Sequence, residues 1–207
     1  MLRFYYSPGA SSFGAHVALH EVGAQFDARP VLHTRGDTHT PDYLRISPKG
    51  KVPVLVIDGK TLTENVAIMT YIGKKFPEAG LWPAGDLEAE AQAISWLAWI
   101  STTIHPLMPR VMAPNADPGQ RDKAIHDGND TFSIADRALG TKDWVFGRYS
   151  VVDIHLFRFY RRWSTGLRIG SGMFPNLANH HERMMMRPAV QRTLEVEKMA
   201  LNALERA

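Results

Sequence analysis

Cysteine is missing from all 207 positions. Its absence excludes disulfide bridges, thiolate metal sites and a cysteine nucleophile. Any sulfur chemistry must therefore use a thiol brought by a ligand. Long apolar runs are lacking too: none reaches about 18 residues, so no membrane-spanning helix is expected. The start, "MLRFYYSPG", lacks the basic-then-apolar layout of a secretory signal, and a cytoplasmic location is the default expectation. No excess of one charge stands out. Lys and Arg number 24 against 21 Asp and Glu, a net charge of +3, and the two signs are interspersed without a basic block or tail. Nucleic-acid and membrane-surface binding therefore gain little support. His16 and His20 are spaced i, i+4, but no third ligand accompanies them and "HVALHE" lacks the metalloprotease order, so no metal is expected. His180 and His181, in "NHHERMMMRP", read as solvated.

Hydrophobic residues at 44% and charged residues at 22% are ordinary for a globular chain of one large or two small domains. The first part mixes strand and helix signals. "LRFYY" reads as a strand stopped by Ser7-Pro8-Gly9. Ala15, Ala18, Leu19 and Val22 then line one helix face, which Gly23 ends. "QFDARPV" is a second strand and "PDYLRIS" a helical turn. In "KVPVLVIDGKTLTEN", Asp58-Gly59 marks a hairpin, and "ENVAIMTYIGKKF" is helical up to Pro77. The order β-α-β-α-β-β-α predicts a compact α/β layer over residues 1–77. "PEAGLWPAGD" ends at 86 and reads as a linker over 78–86. Residues 87–207 read as an all-helical domain, with helices near 87–112, 118–139, 151–165, 174–187 and 189–205.

Several residues carry chemical potential. Pro53 interrupts a strand pattern, so it lies at a strand end or edge, or follows a cis bond that frees the Val52 backbone for an extended ligand. Thr63-Glu64-Asn65 stands at a helix N-terminus, whose orphan N–H groups suit a carboxylate; taken alone, Thr63 or Asn65 merely caps the helix. Ser11 and Ser12 precede the first helix and, taken alone, also read as caps. On the long helix of 87–112, Leu97, Ile100, Ile104 and Leu107 form a core stripe. Ala98, Ser101, Thr102 and His105 line a small polar face, and Pro106 should kink the helix by removing the bond to Thr102. Ser150 to Asp153 fits a capping box.

Together these pieces resemble the cytosolic glutathione transferases. The matching stretches are "YYSPGASS", "SPKGKVPVL", "LTENVAI" and "YSVVDIHLF", in the family's order over nearly the whole chain, with the bacterial beta-like classes most similar. The resemblance implies a thioredoxin-like N-terminal domain with a cis peptide before Pro53, followed by an all-α C-terminal domain. It implies that the Val52 backbone pairs with the cysteinyl part of glutathione, that Glu64 and Asn65 hold its γ-glutamyl end, and that Lys51, His33 and Arg35 reach the ligand, the last two at the glycine carboxylate. Asn65 stands where the family usually has Ser or Gly.

A free thiol has a pKa near ~8.5, which a helix N-terminus and a hydroxyl donor would lower. Ser11 occupies the position of the beta-class cysteine, which disfavours mixed-disulfide chemistry and favours a serine hydrogen bond to the thiolate. Ser12 and the hydroxyls of Tyr5 or Tyr6 are the alternatives. His105 aligns with a histidine near the sulfur and the second substrate. Tyr160, Trp163 and Thr102 are candidates for the electrophile pocket, the two aromatics reading equally as core. Ala98 replaces a polar residue that reaches glutathione across a dimer. The implied function is that of a homodimeric glutathione S-transferase of the detoxification type, with glutathione as co-substrate and a small hydrophobic electrophile. Ether cleavage, dehalogenation or non-catalytic ligand binding are the alternatives.

Overall fold

A computed structural model describes Met1–Arg206. Two compact units divide the chain: Met1–Gly80 together with the last helix, and Leu81–Met186.

In the first unit, β1 (Leu2–Tyr6), β2 (Phe26–Pro30), β3 (Val54–Ile57) and β4 (Lys60–Thr63) form a sheet of order β2-β1-β3-β4. β1 and β2 are parallel, and the other pairs are antiparallel. Alternation along β1 sends Phe4 and Tyr6 inward and leaves Arg3 and Tyr5 on the other face. β3 and β4 join through Asp58 and Gly59, both at positive φ (47° and 85°), as a two-residue hairpin turn of the primed kind requires. The helices are α1 (Phe13–Glu21), α2 (Pro41–Ile46) and α3 (Asn65–Lys75). Pro41 and the Thr40 side chain, which accepts the Tyr43 N–H, start α2.

The helix α9 (Pro188–Arg206) belongs to this unit by its packing, not to the helical one. It lies against α1. That second partner explains why α1 is buried from Phe13 to Leu19 rather than along one face. The expected boundary at 87–207 therefore differs from the compact units. Within the expected linker, Leu81 and Trp82 are buried, and the Leu81 carbonyl accepts the Val151 N–H at 3.1 Å.

The second unit holds α4 (Leu87–Trp99), α5 (Leu107–Met112), α6 (Pro118–Leu139), α7 (Val151–Leu167) and α8 (Pro175–Met185). Between α4 and α5 the chain forms a π-helical segment, Ile100–Ile104, where the His105 N–H reaches the Ile100 carbonyl at 2.9 Å. Pro106 has no N–H to offer, and the helix loosens ahead of it instead of simply kinking. The Leu97, Ile100, Ile104 and Leu107 stripe is buried. At the start of α7, Ser150 and Asp153 form the expected capping box. Asp153 also accepts the Val145 N–H at 2.9 Å and pairs with His180 at 3.2 Å. His180 is accordingly buried and packs on Trp144, not solvated; His181 is half-buried, and burial lowers its pKa.

Candidate functional site

Strand register gathers the first-unit candidates at one end of the sheet. Tyr5 stands opposite Val54, Val54 opposite Thr63, and Tyr6 is level with Pro30. From this row β1 runs out into Ser7–Ser12, β2 into the turn His33–Arg35, and β4 into Glu64–Asn65, while β3 enters from Val52–Pro53.

The two serines differ. Ser12 is buried, and its hydroxyl donates to the Ser7 carbonyl and accepts the Ser7 N–H, both at 3.2 Å. Its only proton is spent, and it makes no side-chain cap bond to α1. The capping reading of Ser12 is thereby corrected. Ser11 is half-buried in the preceding turn and makes no side-chain hydrogen bond among the described residues. Tyr6 is 1% exposed, with Phe4 stacked on its ring and His16 tilted against it, and burial pushes its phenol up to about 12. It is a core residue, which corrects its candidacy as a hydroxyl donor to a ligand.

The Val52–Pro53 peptide is cis. Its approach is anchored from behind: the Lys51 carbonyl accepts the Tyr43 hydroxyl at 2.8 Å and the Ser47 hydroxyl at 3.3 Å. Burial pushes the Tyr43 phenol up to about 12, so it remains a donor. The Lys51 side chain is exposed. Glu64, at the head of α3, is held at φ 73°, a conformation that costs a non-glycine residue on the order of 1–3 kcal/mol. Its carboxylate receives Lys49 Nζ at 2.6 Å. Beside it, Asn65 Oδ1 is buried without a hydrogen-bond partner among the described residues. An unmet buried amide group costs about 1–3 kcal/mol and suits a ligand that completes it.

His33 is exposed and its Nδ1 lies 2.9 Å from the Ser7 hydroxyl, at the mouth of the β1–α1 turn. Arg35 points elsewhere. Its guanidinium pairs with Asp37 at 3.2 Å and donates to the Leu204 carbonyl at 3.1 Å.

In the helical unit, His105 is exposed with its ring 5.1 Å from that of Phe159. Thr102 is exposed and bonds back to the Ala98 carbonyl at 2.9 Å. Ser101 is turned to His155, 3.1 Å away, whose burial lowers its pKa to about 3. Tyr160 and Trp163 are 2% and 0% exposed. Tyr160 packs on Phe132 and Phe174, and the Trp163 indole N–H donates to Asn129 at 3.2 Å. A Cβ on Gly128 would fall 2.1 Å from the Trp163 ring, so only glycine fits there. Both aromatics are core, not pocket wall.

Sequence reasoning passed over Ser7, Lys49 and Glu197. Glu197 lies on α9, buried, accepting the Gly9 N–H and facing His16 Nδ1, each at 2.9 Å. Its signal was available: with Val190 and Thr193 it falls at i, i+3, i+7 on the apolar face of an amphipathic helix.

Comparison with known proteins yields one consistent likeness. The family model described as glutathione S-transferase, N-terminal domain, matches residues 10–75. Glutathione S-transferase GstA of Escherichia coli O157:H7 is 29% identical over 199 residues, covering 95% of this chain and 98% of the relative. A sphingomonad glutathione S-transferase complexed with glutathione superposes with a TM-score of 0.86 at 32% identity, over 95% of this chain and 98% of that one. The beta-class glutathione S-transferase of Sphingomonas chungbukensis gives 0.83 at 34% identity, over 94% and 98%.

Proposed function

The chain belongs to the glutathione S-transferase family, and on that premise we propose that it binds glutathione at the sheet end of its first unit and activates the thiol with Ser11. The observation that carries this reading is the register row of Tyr5, Val54 and Thr63 at one end of the sheet, where Val52–Pro53 and Glu64–Asn65 adjoin the strands and β1 runs on into the turn that holds Ser11. Val52 precedes β3, so its backbone N–H and C=O suit an extended cysteinyl residue. The unpaired Asn65 Oδ1 and the Glu64 carboxylate are acceptors that suit the γ-glutamyl ammonium, while the N-terminus of α3, with its partial positive charge, suits the carboxylate. His33 and Lys51, both exposed, and Arg35, which pairs with Asp37 in this structure, are the side chains offered to the glycine carboxylate.

Ser11 keeps a hydroxyl proton to give, whereas Ser12 and Tyr6 do not present one. A hydrogen bond from Ser11 and the N-terminus of α1 together favour the thiolate over the thiol, the proton passing to solvent. The thiolate then attacks the electrophilic carbon of an apolar substrate, forming a C–S bond as the leaving group departs with the bonding pair. On the helical unit His105 and Thr102 are exposed. A cytoplasmic homodimer built on α3 and α4 completes the reading; Leu87 and Ile94 of α4 are exposed apolar residues that such an interface would cover.

The test is conjugation of glutathione to a chloronitroaromatic by wild type and Ser11→Ala, with the pKa of the bound thiol read from thiolate absorbance. Loss of one hydroxyl donor should raise that pKa by about one unit or more and lower kcat/KM by about tenfold or more, with glutathione affinity little changed. An unchanged rate with an unchanged thiol pKa removes Ser11 from the role.

A further inference from the structure

The first unit holds a pocket of about 380 Å³ lined from α1, β2 and α9, a size within the ~300–1,000 Å³ typical of small-molecule sites. None of the residues assigned to glutathione lines it. His16 and His20 stand on successive turns of α1, their ring centroids 4.8 Å apart, and Phe26 of β2 packs on both, at 5.8 and 5.4 Å. Arg192 of α9 gives the pocket positive charge, and no carboxylate is among the lining residues.

The proton positions on the two rings follow from what lies behind them. The Thr193 hydroxyl donates its one proton to the Ala189 carbonyl at 2.7 Å. Towards His20 it therefore accepts, and His20 Nδ1 donates to it at 2.8 Å. Burial, with His16 and Arg192 close by, lowers the His20 pKa to about 4, so at neutral pH its Nε2 is a bare lone pair. His16 Nδ1 faces Glu197 Oε1 at 2.9 Å, where a carboxylate accepts. The neutral ring then carries its proton at Nδ1 too, and its Nε2 is buried with no hydrogen-bond partner among the described residues. His20 Nε2 has none either. Arg192 is exposed and makes no hydrogen bond or ion pair among the described residues. The pocket thus presents two acceptors without a donor and one cation without an anion.

These needs are opposite in kind. A metal cation suits the lone pairs but is repelled by Arg192. A fully ionised oxyanion suits Arg192 but turns its own lone pairs onto the imidazoles. We infer that the pocket binds a small oxyanion that keeps an acidic proton, of the phosphate class: protonated inorganic phosphate, or a phosphate monoester as its monoanion. The anionic oxygen meets the Arg192 guanidinium, and the P–OH donates to His20 Nε2. Dihydrogen phosphate carries a second proton for His16. Phe26 and Ala28 offer apolar surface to the body of a monoester. The pocket stands apart from the sheet-end residues, whether or not Ser11 activates a thiol.

Sulfate is the deciding control, because it matches phosphate in shape and lacks the proton. At about pH 6 inorganic phosphate is protonated and about half of a monoester keeps its proton, its second pKa being near ~6. Calorimetric titration of the full chain at that pH, with and without saturating glutathione, compares phosphate, phenyl phosphate and sulfate. The protonated ligands should bind at least about tenfold more tightly than sulfate, as at a site built to hydrogen-bond an O–H group, and glutathione should not displace them. Tighter binding of phenyl phosphate identifies a monoester as the ligand, and tighter binding of phosphate the free ion. Arg192→Gln should weaken phosphate by about tenfold. His20→Phe keeps a ring but removes the acceptor. It should weaken phosphate by about fivefold or more and sulfate by less than about twofold, a change of selectivity that lost packing alone does not produce. Arg192 has no partner to lose, so its variant keeps the fold even if His20→Phe does not, with circular dichroism as the check. Equal affinity for sulfate and phosphate, absence of phosphate binding, displacement by glutathione, or wild-type affinity in Arg192→Gln would each overturn the inference. So would binding of Zn²⁺ in preference to phosphate that His20→Phe abolishes, which would make the histidine pair a metal site.

Discussion

The hydroxyl of Ser12 gives its proton to the Ser7 carbonyl and takes the Ser7 N–H in return, while the neighbouring Ser11 hydroxyl makes no such bond. Two adjacent serines read alike in sequence, because which of them turns inward depends on the backbone of a six-residue turn and on a partner five positions earlier. The structural division predicts opposite phenotypes. Ser12→Ala strands the buried Ser7 N–H, and urea unfolding should show a loss of about 1–3 kcal/mol with the thiol chemistry largely kept. Ser11→Ala should stay within about 0.5 kcal/mol of wild type in stability, its effect falling on the bound thiol. If Ser12→Ala instead unfolds like wild type and loses conjugation, the roles are reversed. Tyr160 and Trp163 show the same limit from the other side. An aromatic at helical spacing fits a pocket wall or a core equally well, and here the missing side chain of Gly128 makes the room that buries Trp163.

The elements themselves were readable. Strand runs, the Asp58-Gly59 turn, the Ser150-Asp153 box and the disturbance before Pro106 all rest on local rules, and local rules act over a few residues. What local rules do not carry is the second use of a residue by a distant element. Asp153 is the example: read as a cap, it would matter to α7 alone. In the fold it accepts from the Ser150 N–H and hydroxyl, the Val145 N–H and His180, and so ties α7 to α8 and to the segment before it. Ser150→Ala should therefore cost the ordinary ~1–2 kcal/mol of a lost N-cap. Asp153→Ala, which leaves several buried donors unmet, should cost more than about 3 kcal/mol. Chemical denaturation of the two variants compares them directly, and equal, small losses would reduce Asp153 to a cap.

At the scale of the whole molecule, the order of elements in the chain and their grouping in space part company. A reading that follows composition places everything after the Pro- and Gly-rich stretch in one helical domain. α9 departs from it because α1 has two sides to cover, one against α3 and one that only a later helix reaches. The docking is polar as well as apolar. Arg187 forks onto Glu21 at 2.6 and 2.8 Å, Glu197 holds His16 and the Gly9 N–H at 2.9 Å, and Thr193 holds His20 at 2.8 Å. Gly9 lies in the turn that carries Ser11, so the last helix also supports the end of the sheet where the thiol is proposed to sit. A chain ending at Met186 would leave Glu21 and His16 without these partners and bare one side of α1 to water. Removing one member of a buried pair alone costs several kcal/mol, against a typical total stability of about 5–15 kcal/mol. The truncated chain should thus lose both the cooperative thermal transition of the first unit and glutathione binding, measured by calorimetry. A truncated chain that still melts cooperatively and binds glutathione with wild-type affinity would show that α9 is an appendage and that residues 1–80 suffice as a folding unit.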